Sequence, residues 1–583
     1  MTTTAQNPRS REARPAARAA RGERQVLIAT ILVLAAGLPA RPEERAPAGE
    51  VAGRADRLVA GVRTFAETVL SRGRDVYGKK HTPLFVDGLH ARTLEPVRWQ
   101  KSGQTWVLCN VASQQPLLRL LDGLTALTGE AKYRRAAEDA TRHALKHLRT
   151  PNGLLSWGGH LAWDLEGDRG VGQYADVHEL KGHQPYFRLM WRVDPAATRK
   201  LMETIWAAHV LDWSRLDYNR HASGKRPAAP KWGATFDEDI EVPFPAKGGN
   251  LSFVNVAPPL IHSGTMLAVL DANAAALTWT RRLVYRWQQG EHPKTGLCGG
   301  QVSYRKHDRA RDALGHVHPK INEAKIVASY HQTCRYHQLP LSQMQAGEAL
   351  IAAGGKRRDV GRQFIEWASG DLKAYAQRTY DPKTGQFVAR MIDGTLLKWQ
   401  QARTGYYTPR SFAPRRPDFL VLWNYTTAYR LTRDEAHWRM VGELLGRLGL
   451  GKAGPPDATR RDLRLDTRST DWRAIYALLD LHEATGDRAF LRLAARIADN
   501  IVATRSPTGL FPRPGRDYAR TGDEAPLAVL HVVAALRGKR SAMPRAVYDS
   551  RFFHCEYHGP LAKHQQKRAD KRTYDNLVFY GGP

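Results

Sequence analysis

The chain has 583 residues, four cysteines and a formal net charge of +31. That length has room for several ordinary domains. Cys109, Cys298, Cys334 and Cys555 lie far apart with no CxxC pair, which excludes a zinc ribbon and a thioredoxin-like redox site.

Residues 1–40 stand apart from the rest. Arg9, Arg11, Arg14, Arg18, Arg21 and Arg24 precede an uncharged run, Gln25–Ala40, centred on VLIATILVLAA. A basic stretch followed by a short apolar one reads as an export signal; because Leu38-Pro39-Ala40 is a poor match to Ala-x-Ala, an uncleaved N-terminal anchor is the alternative. The apolar core is short for a membrane span. The expected location is therefore exported, periplasmic or secreted, with a membrane involved only through such an anchor. The first 40 residues hold six Arg and two Glu, leaving +27 for the remainder. That excess reflects either an Arg-rich proteome or an acidic partner: a polyanionic polysaccharide, nucleic acid or an anionic envelope surface.

Residues 41–56, rich in Pro, Ala and Glu, read as a linker. A helix follows with Leu58, Val62, Phe65 and Val69 on one face. Tyr77–Trp99 is irregular, because its Pro and Gly preclude a long helix. From Leu117 a distinctive unit begins: apolar helix, Thr128-Gly129-Glu130, second helix, then Pro151-Asn152-Gly153-Leu154. The unit recurs near the other end, from Tyr476 through Thr485-Gly486-Asp487 to Pro507-Thr508-Gly509-Leu510. Its closing loop appears again at Pro293–Leu297 and Pro382–Gln386. One helical hairpin cannot bury its own apolar face, so repeated hairpins must stack on one another. The expected architecture is all-α: an (α/α) toroid of about seven hairpins over 57–540, with short strands and loops at the cleft. Ala197–Arg215 reads as one helix, 223–255 as a long loop over the cleft, and 541–583 as a basic C-terminal tail.

His160 in GGHLAWD, Glu179 in DVHELKGH and Arg220-His221 are the polar groups of most interest. Two imidazoles and a carboxylate suffice for a divalent transition metal, and suit Mn, Co, Ni or Zn better than Ca or Mg. Spacing alone does not select them among 22 histidines, and the 19- and 42-residue gaps match no general metal motif. His178-Glu179 with His183 is not HExxH: five residues put the two rings about 140° apart on a helix.

The order His…Glu…Arg-His resembles the family 2 polysaccharide lyases, the pectate and exopolygalacturonate lyases of α/α-toroid fold. His81-Thr82-Pro83-Leu84-Phe85-Val86-Asp87-Gly88, with Glu95-Pro96-Val97 behind it, is similar to that family's N-terminal signature. The resemblance covers residues 77–221 in motif detail. It implies that His160, Glu179 and His221 hold a Mn-like divalent metal and that Arg220 acts as Brønsted base. It also implies an acidic polysaccharide, polygalacturonate or a related polyuronate, as substrate of a β-elimination. A guanidinium ordinarily keeps its proton to about pH 12.5. A +2 charge about 6 Å away, at an effective dielectric near 20, opposes that proton by roughly 5 kcal/mol. An alkaline optimum is expected.

Further cations read as a basic cleft wall or as a solvated helix face: His316, His318, Lys320 and Lys325, then Tyr330, His331 and Arg335. Lys320 and Arg335 are taken as substrate-binding. Trp157 and Trp163 flank His160 and read as sugar-stacking or core residues; Trp163 is taken as substrate-binding. Two other classes compete. Asp87, Asp164 and Asp176 offer the paired carboxylates of a toroidal glycoside hydrolase. A non-catalytic polyanion binder is the third class, although dispersed Lys and Arg and the lack of a recognisable module argue against nucleic acid.

Overall fold

The structure is a computed structural model that describes residues 48–548, except 102–103, 173–175, 181, 183, 248–250, 306–313, 329–333 and 399–410; beyond these it describes 556–558, 571–572 and 579–580. The expected signal or anchor, Cys555, Tyr330 and His331 lie outside the described residues.

Fourteen α-helices are present among the described residues. In chain order they are α1 (Ala48–Arg72), α2 (Gln115–Thr128), α3 (Ala131–His147), α4 (Phe187–Val193), α5 (Pro195–His209), α6 (Ala257–Leu270), α7 (Ala274–Gln289), α8 (Arg335–Ala353), α9 (Lys356–Thr379), α10 (Phe419–Thr432), α11 (Glu435–Arg447), α12 (Trp472–Thr485), α13 (Arg488–Ala503) and α14 (Glu524–Leu536). Helices α6, α8, α10, α12 and α14 each pack on the next and α14 returns to α2, while between α2 and α6 stands α4, which packs on α6 and whose preceding Tyr186 donates its N–H to Gln115 Oε1 of α2 at 2.6 Å. The ring is closed. Its inner helices are buried nearly all round, as with Phe419–Thr432 and Glu524–Leu536, whereas outer helices such as α3 and α13 keep one polar face. The seventh pair is made from the two ends of the chain: α1 lies on the outside, where Arg537 at the end of α14 pairs with Asp56 at 2.7 Å.

The repeated tripeptide explains itself in the hairpin turns. Gly129 and Gly486 end their helices at φ 79° and 71°, a left-handed conformation that costs other residues more. The preceding threonine hydroxyl accepts the N–H of the next acidic residue, 3.2 Å at Thr128–Glu130 and 3.1 Å at Thr485–Asp487. Asp487 then caps α13 by accepting the Ala489 N–H at 2.7 Å.

Two expectations need correction. Helix α1 begins at Ala48, so residues 48–56 are helix and not linker. The helix expected over Ala197–Arg215 stops at His209, because Val210–Asp212 and Asp217–Tyr218 pair as a hairpin whose turn is held by Asp212 accepting the Ser214 N–H and hydroxyl. The long loop after residue 223 is anchored by aromatic packing. Its Trp232 and Phe236 pack on Trp206, Trp213 and Trp279 of α5, the following turn and α7.

Short strands gather where outer helices hand over to inner ones. Strands β1 (Gly88–His90), β2 (Arg98–Lys101), β3 (Gln104–Cys109), β4 (Leu161–Asp164), β5 (Arg169–Gly172), β6 (Val177–Glu179), β7 (Val210–Asp212), β8 (Asp217–Tyr218) and β9 (His221–Ser223) form this layer. Strands β2 to β5 are antiparallel neighbours in one sheet, which Glu556–His558 extends beyond β2. No helix among the described residues is long and apolar enough to cross a membrane.

Candidate metal centre

The polar cluster is built on a two-stranded ladder. Strands β6 and β9 run antiparallel with Glu179 directly opposite His221 and His178 opposite Ala222. Cross-strand partners point to the same face, so the ladder itself brings carboxylate and imidazole together. The Leu180 N–H donates to Arg220 O at 2.7 Å and continues the pairing one step further. His160 comes from a different segment, the loop into β4. Asn110 holds that loop from both sides, donating to Gly158 O at 2.9 Å and accepting the Gly158 N–H at 3.1 Å.

His160 Nε2 lies 3.1 Å from His221 Nε2, and each lies 3.7 Å from a Glu179 carboxylate oxygen. One ligand atom from each residue fits within 4.8 Å of the others. Donors about 2.1 Å from one ion sit roughly 3–4 Å apart, so the set has the span of a single coordination sphere. Glu179 is fully buried and His160 is 4% exposed, while the His221 side chain remains 35% exposed. A buried carboxylate requires cationic or hydrogen-bonding company, and Arg220 Nε supplies part of it at 3.4 Å from Glu179 Oε1. The guanidinium also stands 5.9 Å from the centre of the Phe253 ring. The chemistry of the donors and the span both fit a divalent transition metal.

Room for the carboxylate depends on Gly159. A Cβ at that position would fall 1.8 Å from Glu179 Oε2. Neither Gly159, Asn110 nor Phe253 stood out in the sequence, although the doubled glycine before His160 was a visible sign of a crowded approach.

The remaining expected site residues divide. Lys320 is exposed on the segment before a short helical turn, with its backbone N–H donating to His318 Nδ1 at 3.2 Å. Trp163 is half-buried on β4 and packs against the main apolar core. Trp157 is not a sugar platform: it is 2% exposed and its indole donates to His178 Nε2 at 3.0 Å. Arg335 is corrected more sharply. It is 1% exposed at the start of α8, where Nη2 meets both oxygens of Asp371 at 2.7 and 2.6 Å and Glu291 at 3.3 Å. A guanidinium so enclosed is structural and cannot reach a polymer. Two of the three rival aspartates are engaged locally. Asp164 accepts the Glu166 N–H at 3.3 Å within its own turn, and Asp176 pairs with Lys225 at 3.5 Å. Asp87 is buried.

The Arg335 cluster has a consequence for stability. Burial, reinforced by the neighbouring charge of Asp371, pushes the Glu291 carboxyl up to about 9. The folded state therefore holds a proton that the unfolded chain releases near the ordinary carboxylate range. Stability should be fullest below that range and fall as pH rises towards 9, by at most about 1.4 kcal/mol per pH unit. Glu291→Gln should flatten the decline, measured as melting temperature between pH 5 and 9; equal slopes in both proteins would contradict it.

The sequence profile of a family described as periplasmic pectate lyase matches residues 82–556. A relative named pectate disaccharide-lyase, from Dickeya dadantii (strain 3937), is 26% identical over 537 residues, which span 86% of this chain and 93% of that protein. Among solved structures, cellobiose 2-epimerase from Bacillus thermoamylovorans B4167 aligns at 11% identity and a TM-score of 0.39, covering 82% of this chain and 99% of that one. The GH76 α-mannanase BT2949 of Bacteroides thetaiotaomicron aligns at 10% identity and a TM-score of 0.38, covering 85% and 99%.

Proposed function

The chain belongs to the periplasmic pectate lyase family, and from that premise we propose that this polysaccharide lyase is exported and cleaves pectate by β-elimination at a divalent metal held by His160, Glu179 and His221, with Arg220 as Brønsted base. The observation that carries the reading is the convergence of those four side chains, in which His160, Arg220 and His221 all stand around the buried Glu179 carboxylate.

The reaction removes the proton at C5 of a galacturonate and expels the oxygen at C4. As the C5–H bond breaks, a C4=C5 double bond forms, and the departing sugar hydroxyl takes its proton from solvent. Charge accumulates on the uronate carboxylate beside C5. A divalent cation supplies electrostatic stabilisation there without having to donate a proton. His160 and Glu179, both buried, would give that cation two fixed donors, while His221 lines the open side where substrate enters. Arg220 takes the C5 proton in this scheme. Its side chain is 13% exposed, enough to meet a substrate while its stem stays packed. Lys320 and Trp163 are the candidates for contacting more distant sugars; Mn, Co or Ni suits the donor set better than Ca.

A panel of polyuronates incubated with and without added divalent ions tests this directly. Ultraviolet absorbance from the unsaturated product should appear on polygalacturonate, disappear after chelation, and return with Mn²⁺ more fully than with Ca²⁺. The rate should climb as pH rises above neutrality. Reducing ends formed without the chromophore would instead indicate hydrolysis.

A further inference from the structure

Behind the ladder lies a buried chain of hydrogen bonds that joins the three segments carrying His160, Glu179 and Arg220-His221. The Trp157 indole N–H donates to His178 Nε2 at 3.0 Å, His178 Nδ1 meets His209 Nε2 at 2.9 Å, and His209 Nδ1 meets Asn219 O at 2.7 Å. Trp157 is 2% exposed; His178 and His209 are wholly buried. Alternation along β6 turns the His178 side chain away from the Glu179 face, so these imidazoles belong to the core side of the ladder.

The direction of the chain is fixed by its ends. An indole N–H can only donate and a carbonyl oxygen can only accept. His178 therefore offers a lone pair at Nε2 and its proton at Nδ1; His209 accepts at Nε2 and donates from Nδ1. Two neutral rings in that tautomer satisfy all three bonds, with no atom left over. Each member belongs to a segment that matters. Trp157 stands three residues before His160, His178 adjoins Glu179, and Asn219 precedes Arg220-His221 while its Oδ1 accepts the His221 N–H at 3.3 Å. His209 ends α5 and also accepts the Asn219 N–H on its backbone oxygen at 2.9 Å. The two-way clasp between residues 209 and 219 sets the turn from which the Arg-His pair departs.

We propose that Trp157, His178 and His209 form a positioning relay that holds the His160 loop, the Glu179 strand and the Arg220-His221 turn in one register, and thereby sets the affinity of the metal site. This inference rests on the reading of His160, Glu179 and His221 as metal ligands. Partners behind metal ligands commonly change affinity by about 10–100-fold when removed.

Calorimetric titration of the chelator-treated full-length protein with Mn²⁺, well below its melting temperature, is the test. His209→Leu should weaken binding by at least about tenfold. His209→Asn, whose amide can still donate to Asn219 O but cannot accept from His178 Nδ1, should recover only part of the loss, because the link to His178 stays broken. His437→Leu serves as the matched control: His437 is also a buried imidazole, bonded to Ser369 Oγ at 2.7 Å on a distant pair of helices. It should lower the melting temperature comparably and leave Mn²⁺ binding unchanged. Parent-like affinity in His209→Leu, or equal weakening in His437→Leu, would overturn the relay alone. A parent protein that binds neither Mn²⁺, Co²⁺ nor Ni²⁺ would remove the metal reading and this inference together.

Discussion

Arg220→Ala should lower kcat on polygalacturonate by at least about 10³-fold while Mn²⁺ affinity stays within a few-fold of the parent. A positioned general base contributes roughly 10²–10⁴-fold to a proton abstraction, and losing the guanidinium also removes a contact to the uronate. The metal ligands should survive, because Glu179 is held by its pairing with His221 and not by Arg220 alone. Arg220→Lys should be nearly as inactive: an ammonium at the end of a flexible stem does not reproduce a planar group stacked near Phe253. The measurement is a parallel determination of kcat and of metal content in both variants. Turnover that persists in Arg220→Ala would assign the base elsewhere. Turnover lost together with metal would make Arg220 a support for Glu179, since the Nε–Oε1 contact of 3.4 Å allows that role.

What could be read from the chain, and what could not, follows from how each feature is encoded. The ring was legible because its grammar is local. Thr-Gly-Asp marks a helix end and the next helix start within three residues, and the same side-chain bonds recur at Thr128 and Thr485. Closure of the ring was legible only in outline: the pairing of α1 with α14 joins residues 481 positions apart, through Arg537 and Asp56. His160, Glu179 and Arg220-His221 were singled out by the resemblance of their order to a family pattern, not by spacing, for the ladder that sets Glu179 opposite His221 links strands over 40 residues apart. The surroundings of the site were illegible for a different reason. His178 and His209 have the sequence signature of core residues, and Arg335 that of a cleft cation. Burial decides both cases, and burial depends on what packs above them: Asp371 on α9 and Glu291 after α7 enclose the guanidinium. No pattern within ten residues of Arg335 announces those partners.

Gly159→Ala tests the geometry more severely than removal of a ligand, because every donor remains. The added Cβ would stand 1.8 Å from Glu179 Oε2 and 2.8 Å from its Cδ, so the carboxylate must swing away by more than an ångström. Gly159 does not need a left-handed backbone, and the obstruction is the far end of a side chain, not main chain. The fold can therefore absorb the substitution, and a cooperative melt near that of the parent is expected. The site cannot absorb it so easily. Glu179 is buried at the ladder, Arg220 Nε is its neighbour at 3.4 Å, and both imidazoles are fixed to separate segments. Misplacement by about 1 Å typically costs 10²-fold in turnover, and the weakened metal site compounds that loss, so activity should drop by roughly 10³-fold or more. Gly233→Ala is the control, since a Cβ there meets nothing within 4 Å. If Gly159→Ala binds Mn²⁺ within about threefold of the parent and still turns over, the buried carboxylate is not a ligand of the ion; adding Mn²⁺ to excess should then change nothing, whereas a merely weakened site would recover part of its rate.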